Sequence, residues 1–139
     1  WIDGMKFQGE AEGNQITMDA KTPIGTNSAM TPKELVAAGL GGCTVMDVIA
    51  LLKKHKQPFD SVEIDVDVAT SKSGQPVVFT GATLTFLVTG SIDKNILLES
   101  VKLSQTKYCG VSAMLSKAFP IHYVVKLNNE EIGQGSASF

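Results

Sequence analysis

Apolar and polar positions alternate through "MKFQGEAE" and again through "QITMDA", the period-two pattern of half-buried strands, with Gly13-Asn14 between them as turn residues. An N-terminal hairpin is expected, followed by a loop over "TPIGTNSAM". At "TPKE" the period changes. Thr31 suits a helix N-cap, Pro32 the first helical position, and Glu34 can reach back to the Thr31 amide to close a capping box. Leu35, Ala38, Gly39, Gly42, Met46, Ile49 and Leu52 then keep helical spacing, and Val36, Leu40, Val45 and Val48 between them are apolar as well. A helix hydrophobic on almost every side is expected to be buried. The lysines of "KKHKQP" suit its C-terminus, and Pro58 stops it.

Strict alternation returns in "SVEIDVDVAT", with Val62, Ile64, Val66 and Val68 on one face and acids on the other, and again in the second half of "VVFTGATLTFLVTG". A turn at Ser73-Gly74 would join them as a long antiparallel hairpin. "DKNILLESVKLSQTKYC" starts at an Asp93 cap and is amphipathic; a shorter helix, "VSAMLSKA", runs to Pro120, and "IHYVVKLN" is the last expected strand. The tail "GQGSASF" is small and polar and is expected to fray unless anchored. This order predicts an α+β fold, antiparallel sheet on helices, as one domain over residues 1–139. The leading hairpin is marginal alone, and an all-round apolar helix needs cover on more than one face, so an extensive, intertwined homodimer is expected.

Composition narrows the partners. Net charge is -2, and all twelve basic residues are lysine, with no arginine anywhere, so nucleic acid is not an expected partner. No apolar run is read as reaching the roughly 20 residues that span a bilayer, and no cleavable signal precedes the first strand. A soluble, cytoplasmic protein without membrane association is expected. The two cysteines and two histidines match no zinc spacing, and no phosphate loop, nucleophile elbow or dinucleotide fingerprint occurs. No cofactor is therefore expected. His55 reads as a solvated or capping residue and His122 as an ordinary strand residue.

The chemistry that remains is thiol chemistry. Cys109 stands just before a helix, where free amides and the dipole favour an anion. Cys43 lies well past the first turn of its helix, so its activation must come from another segment, and Asp47 one turn on would raise its pKa if it faced the sulfur. Gly39, Gly41 and Gly42 each cost the helix about 1 kcal/mol relative to alanine. Two explanations fit. A substrate, a second cysteine or another helix approaches the sulfur closely, or "GLGG" only lets buried helices pack tightly while Cys43 is an inert core residue.

"MTPKELVAAGLGGCTVMDVIALLKK", followed some sixty residues on by "KYCGVSAMLSKAFPI", resembles the OsmC/Ohr superfamily of osmotically inducible protein C and organic hydroperoxide resistance proteins, closest to its less characterised branch with a "CT-x-M-D" helix. The resemblance covers nearly the whole chain. It implies an intertwined homodimer whose antiparallel sheets wrap two long central helices. It also implies thiol peroxidase activity toward organic hydroperoxides, with Cys43 peroxidatic, Cys109 resolving and a dithiol, notably a lipoyl group, as reductant.

The chain departs from that pattern in one respect. Peroxidase members pair an N-terminal arginine with a glutamate from the first turn of the cysteine helix. This chain has no arginine; Glu12 and Asn14 stand in its N-terminal hairpin, and Lys33, with Glu34 beside it, stands where the glutamate most often is. Glu34 is the candidate third member of the site, and Lys33 or Lys21 could supply a cation without the bidentate fork of arginine. The alternative function is a non-enzymatic protein that binds a small apolar ligand or responds to redox state.

Overall fold

A computed structural model describes residues 1–139, which divide into two compact units, Trp1–Ala38 and Gly39–Phe139. In the first unit, strands β1 (Phe7–Ala11) and β2 (Asn14–Met18) form the expected antiparallel hairpin. Its turn lies one residue earlier than the sequence suggested, with Glu12 and Gly13 both at positive φ, 50° and 80°. That is the backbone a two-residue hairpin loop of matching twist requires.

The loop after β2 is organised by Asp19. Its carboxylate accepts bonds from the Thr26 hydroxyl at 2.6 Å, the Thr26 and Ser28 amides at 3.1 and 3.0 Å, and the Ala20 amide at 2.8 Å. A Cβ on Gly25 would collide with the Ala20 carbonyl and this carboxylate, so glycine is required there. The unit ends in the start of helix α1 (Pro32–Lys54), where the capping box forms as expected. The Thr31 N–H donates to Glu34 Oε2 at 2.8 Å, and the Glu34 N–H to Thr31 Oγ1 at 3.2 Å.

In the second unit, the rest of α1 lies with a four-stranded sheet of order β3-β4-β5-β6. The strands are β3 (Phe59–Thr70), β4 (Phe79–Gly90), β5 (Ile121–Leu127) and β6 (Glu130–Ser136). β3 and β4 pair antiparallel as expected. Two features differ from the sequence expectation. β4 and β5 are parallel, so the sheet is mixed rather than purely antiparallel, and the helices between them form the crossover that parallel strands need. The tail does not fray. It forms β6 against β5 and is held beyond it by bonds from Ala137 N–H to the Ile121 carbonyl and Ser138 N–H to the Gln105 carbonyl. The core is built from Leu84, Phe86 and Val88 of β4, Val125 of β5, Leu97 and Val101 of the crossover, and Val48 and Leu52 of α1, all essentially inaccessible.

The crossover holds α2 (Lys94–Leu103), capped by Asp93, then a π turn (Ser104–Tyr108) and α3 (Gly110–Leu115). The π turn ends with Cys109 N–H bonded to the Ser104 carbonyl at 3.0 Å.

Helix α1 is less enclosed than expected. Its buried positions are Leu40, Gly41, Thr44, Val48 and Leu52, a single stripe at helical spacing, while Met46 is 70% exposed. One chain covers one face of this helix and leaves its other apolar face open. An 18-residue window of α1 has a mean hydropathy of 2.0, so by length and composition alone the helix is long enough to cross a membrane, contrary to the sequence reading.

Candidate functional site

The two cysteines come from distant parts of the second unit's sequence and lie beside α3. Cys43 follows from α1, one residue before the buried stripe position Thr44. Cys109 is the N-cap of α3, and its backbone turns from the π turn into that helix. Both thiols are free; Cys109 is fully buried and Cys43 partly accessible. The first amides of α3 are shared between them: the Val111 N–H faces the Cys43 sulfur, and the Ser112 N–H donates to Cys109 Sγ at 3.3 Å. The two thiols are near enough for each to shift the pKa of the other.

Their electrostatics differ. Burial pushes the Cys43 thiol above its ordinary pKa; the Val111 amide opposes this, while the Cys109 sulfur and the Asp47 carboxylate push the same way. Burial also acts to raise the Cys109 pKa but is outweighed by the Ser112 and Thr44 hydroxyls, the Ser112 amide and the Cys43 thiol, so Cys109 lies below its ordinary value. The expected advantage of the Cys109 position and the expected opposition of Asp47 to Cys43 are both present.

A polar cluster surrounds the pair, and sequence reasoning missed it. Thr44 Oγ1 donates to the Leu40 carbonyl at 2.8 Å and lies 3.4 Å from both Cys109 Sγ and Ser112 Oγ. Gln105 Nε2 donates to Thr44 Oγ1 at 3.3 Å, and the Ser104 hydroxyl donates to Asp47 Oδ2 at 3.0 Å. Thr44, Ser104, Gln105 and Ser112 are all buried. The one available signal was compositional: a Thr beside one cysteine, on a helix otherwise largely apolar, and Ser104 and Ser112 on either side of the other.

The glycines beside Cys43 separate into two kinds. A Cβ on Gly41 would sit 2.7 Å from a Val66 methyl, so Gly41 is small because β3 packs on it. A Cβ on Gly39 or Gly42 would meet nothing within 4 Å, which leaves open space beside Cys43 rather than a neighbour in the same chain.

Glu34 lies in the first unit. Its Oε1 pairs with Lys21 Nζ at 2.8 Å, and this ammonium, with the Thr31 amide, lowers its pKa. A lysine-glutamate pair therefore exists between the loop after the hairpin and the first turn of α1. Both side chains are about half exposed, so the pair adds little to stability.

The family model described as OsmC-like protein matches residues 25–124. Protein YhfA of Escherichia coli K12 is 38% identical over 124 residues, 87% of this chain and 89% of that protein. An OsmC-like protein from Mycoplasma pneumoniae superposes with a TM-score of 0.76 at 16% identity, over 88% of each chain. An organic hydroperoxide resistance protein from Legionella pneumophila does so with a TM-score of 0.59 at 18% identity, over 88% of this chain and 92% of that one. The chain belongs to the OsmC-like family.

Proposed function

We propose that this chain, acting as one OsmC-like domain over residues 1–139, is a thiol-dependent peroxidase for organic hydroperoxides. The observation that carries the reading is the adjacency of two reduced thiols, one accessible and one buried, at the start of α3. Membership of a family whose structural neighbours include organic hydroperoxide resistance proteins supports it. Cys43 attacks the peroxide: an S–O bond forms, the O–O bond breaks and an alcohol leaves. Cys109 then attacks the sulfenic sulfur, an S–S bond forms and water leaves. A dithiol of the lipoyl type reduces the disulfide and is itself oxidised to a disulfide. Glu34, paired with Lys21, takes the part of the acidic member of the charged pair.

The protein is further proposed to be a cytoplasmic homodimer in which a second copy of α1, rather than lipid, covers the open apolar face. The exposed Met46 and the empty space at Gly39 and Gly42 support this.

Consumption of cumene hydroperoxide by the reduced protein with dihydrolipoamide tests the enzyme. Turnover is expected to vanish in Cys43→Ser, while Cys109→Ser reacts once and accumulates sulfenic acid. Unchanged consumption by Cys43→Ser overturns the reading. The second reading, a non-enzymatic binder of a small apolar ligand or a redox-responsive protein, is favoured by the absence of arginine together with the raised Cys43 thiol. Slow reaction with peroxide and a tightly retained apolar ligand would be its signature.

A further inference from the structure

Helix α2 and the paired strands β5 and β6 enclose a cleft of about 390 Å³, lined by Asn95, Leu98, Glu99 and Lys102 from the helix and by Tyr123 and Gln134 from the strands. Asn95, Glu99 and Lys102 recur at helical spacing, so one polar edge of α2 borders it. None of these residues is among the partners of the two thiols. The volume falls in the range of small-molecule sites, about 300–1,000 Å³.

Tyr123 is the fixed point of the cleft. It is only 9% exposed, and a buried tyrosine hydroxyl ordinarily finds a partner. Here it makes no hydrogen bond within the chain. Among buried side chains only Gln105 Oε1 is both unpartnered and sealed from solvent, so the equally unpartnered Tyr123 hydroxyl has solvent access, which the cleft supplies. Room for it comes from β6. A Cβ on Gly135 would overlap the hydroxyl, and one on Gly133, which also borders the cleft, would lie 2.6 Å from a Leu98 methyl. Burial and the Glu99 carboxylate hold the phenol above its ordinary pKa, so it stays protonated and can donate at neutral pH.

The charges are equally unspent. Glu99 and Lys102 stand one turn apart on α2 with opposite signs, at a spacing that lets such residues pair, yet neither forms an ion pair with the other or with any other residue. The side-chain amides of Asn95 and Gln134 make no hydrogen bond within the chain either. A simple anion in the cleft would meet the Glu99 carboxylate, and a simple cation the Lys102 ammonium. A ligand that carries both charges avoids both repulsions. Leu98 and the Tyr123 ring supply apolar contact beside the charges.

We propose that this cleft binds a free α-amino acid with an apolar side chain. Its ammonium pairs with Glu99, its carboxylate with Lys102 and the Tyr123 hydroxyl, and its side chain lies against Leu98. The Asn95 and Gln134 amides, which both donate and accept, complete its hydrogen bonds. The assignment is independent of the peroxidase reading and survives the failure of that reading.

Titration of the isotope-labelled full chain with L-alanine, L-leucine and L-methionine, followed through its backbone amide resonances, tests the site. Saturable shifts are expected along α2 and β6, with a dissociation constant of about 1 mM or less for the best of the three. 4-Methylpentanoate and isopentylamine, which are leucine without its ammonium and without its carboxylate, are expected to bind at least about tenfold more weakly. Glu99→Gln and Lys102→Gln alter exposed side chains, and each is expected to weaken binding about tenfold. Tyr123→Phe removes only the hydroxyl and is expected to weaken it about fivefold. The amide spectra of the unliganded variants, superimposable on the parent's away from the substitution, separate loss of the site from loss of the fold. No saturable shift with any of the three amino acids, equal binding of either leucine analogue, or affinity unchanged in all three variants would overturn the assignment.

Discussion

Asp19 shows how one residue can organise a segment that looks featureless as a string of letters. The loop "TPIGTNSAM" carries two hydroxyl residues and a glycine that close around its carboxylate, and Thr26 followed by the Ser28 amide holds its pKa well below the usual carboxylate range. A group whose folded pKa is depressed contributes stability that is complete above its unfolded pKa, near 4, and is lost as pH falls through the folded value. Asp19→Asn should therefore lower Tm at neutral pH and flatten its dependence on acid, which thermal melts from neutral pH downward will read. The capping residues were legible because their chemistry is local: Thr31, Glu34 and Asp93 need only a few neighbours in sequence. Thr31→Ala should cost about 1 kcal/mol in urea unfolding. Asp19, Thr44, Gln105 and Ser112 were not legible, because their partners lie across loops or on other elements.

Among elements, those with a strong period were readable: α1 and the β3-β4 hairpin stand where alternation and helical spacing put them. Three others were not. The parallel pairing of β4 with β5 leaves no mark in local pattern, since register and direction are set by the crossover between them. β6 is glycine-rich, with Gly133 and Gly135 accommodating Leu98 and Tyr123, and Ile132 is its one β-branched residue, too few to advertise a strand. The π turn continues the α2 pattern and differs only in its bonding. Close packing of α1 on β3 gives a test at this scale. Gly41→Val should destabilise the protein because its side chain enters the space of Val66, and Val66→Ala should restore much of the loss in the same urea titration.

At the scale of the whole molecule, the open face of α1 is the principal unfinished surface. The resemblance to a dimeric family implies a partner, and the proposed second copy would cover what the single chain leaves open: Met46 is 70% exposed on a helix whose apolar content suits full enclosure. Sedimentation velocity should show a dimer, and Met46→Lys should shift it toward monomer while leaving the single-chain core intact. A fully monomeric wild type in that experiment would remove the dimer from the proposal.

The thiol pair also bears on how the chain acquires its structure. Thr44 and Cys109 are 65 residues apart, and Cys109 sits in the crossover between two parallel strands. Contacts so distant in sequence form late, because loop closure must precede their reward, and parallel pairing is slower than hairpin formation. During refolding, the sulfur of Cys109 should stay open to a brief pulse of alkylating reagent after the β3-β4 hairpin has formed and close only when β4 and β5 join. Oxidants encountered in that interval meet two separated cysteines, so a newly made chain is exposed to mispaired or over-oxidised sulfur until its sheet is complete.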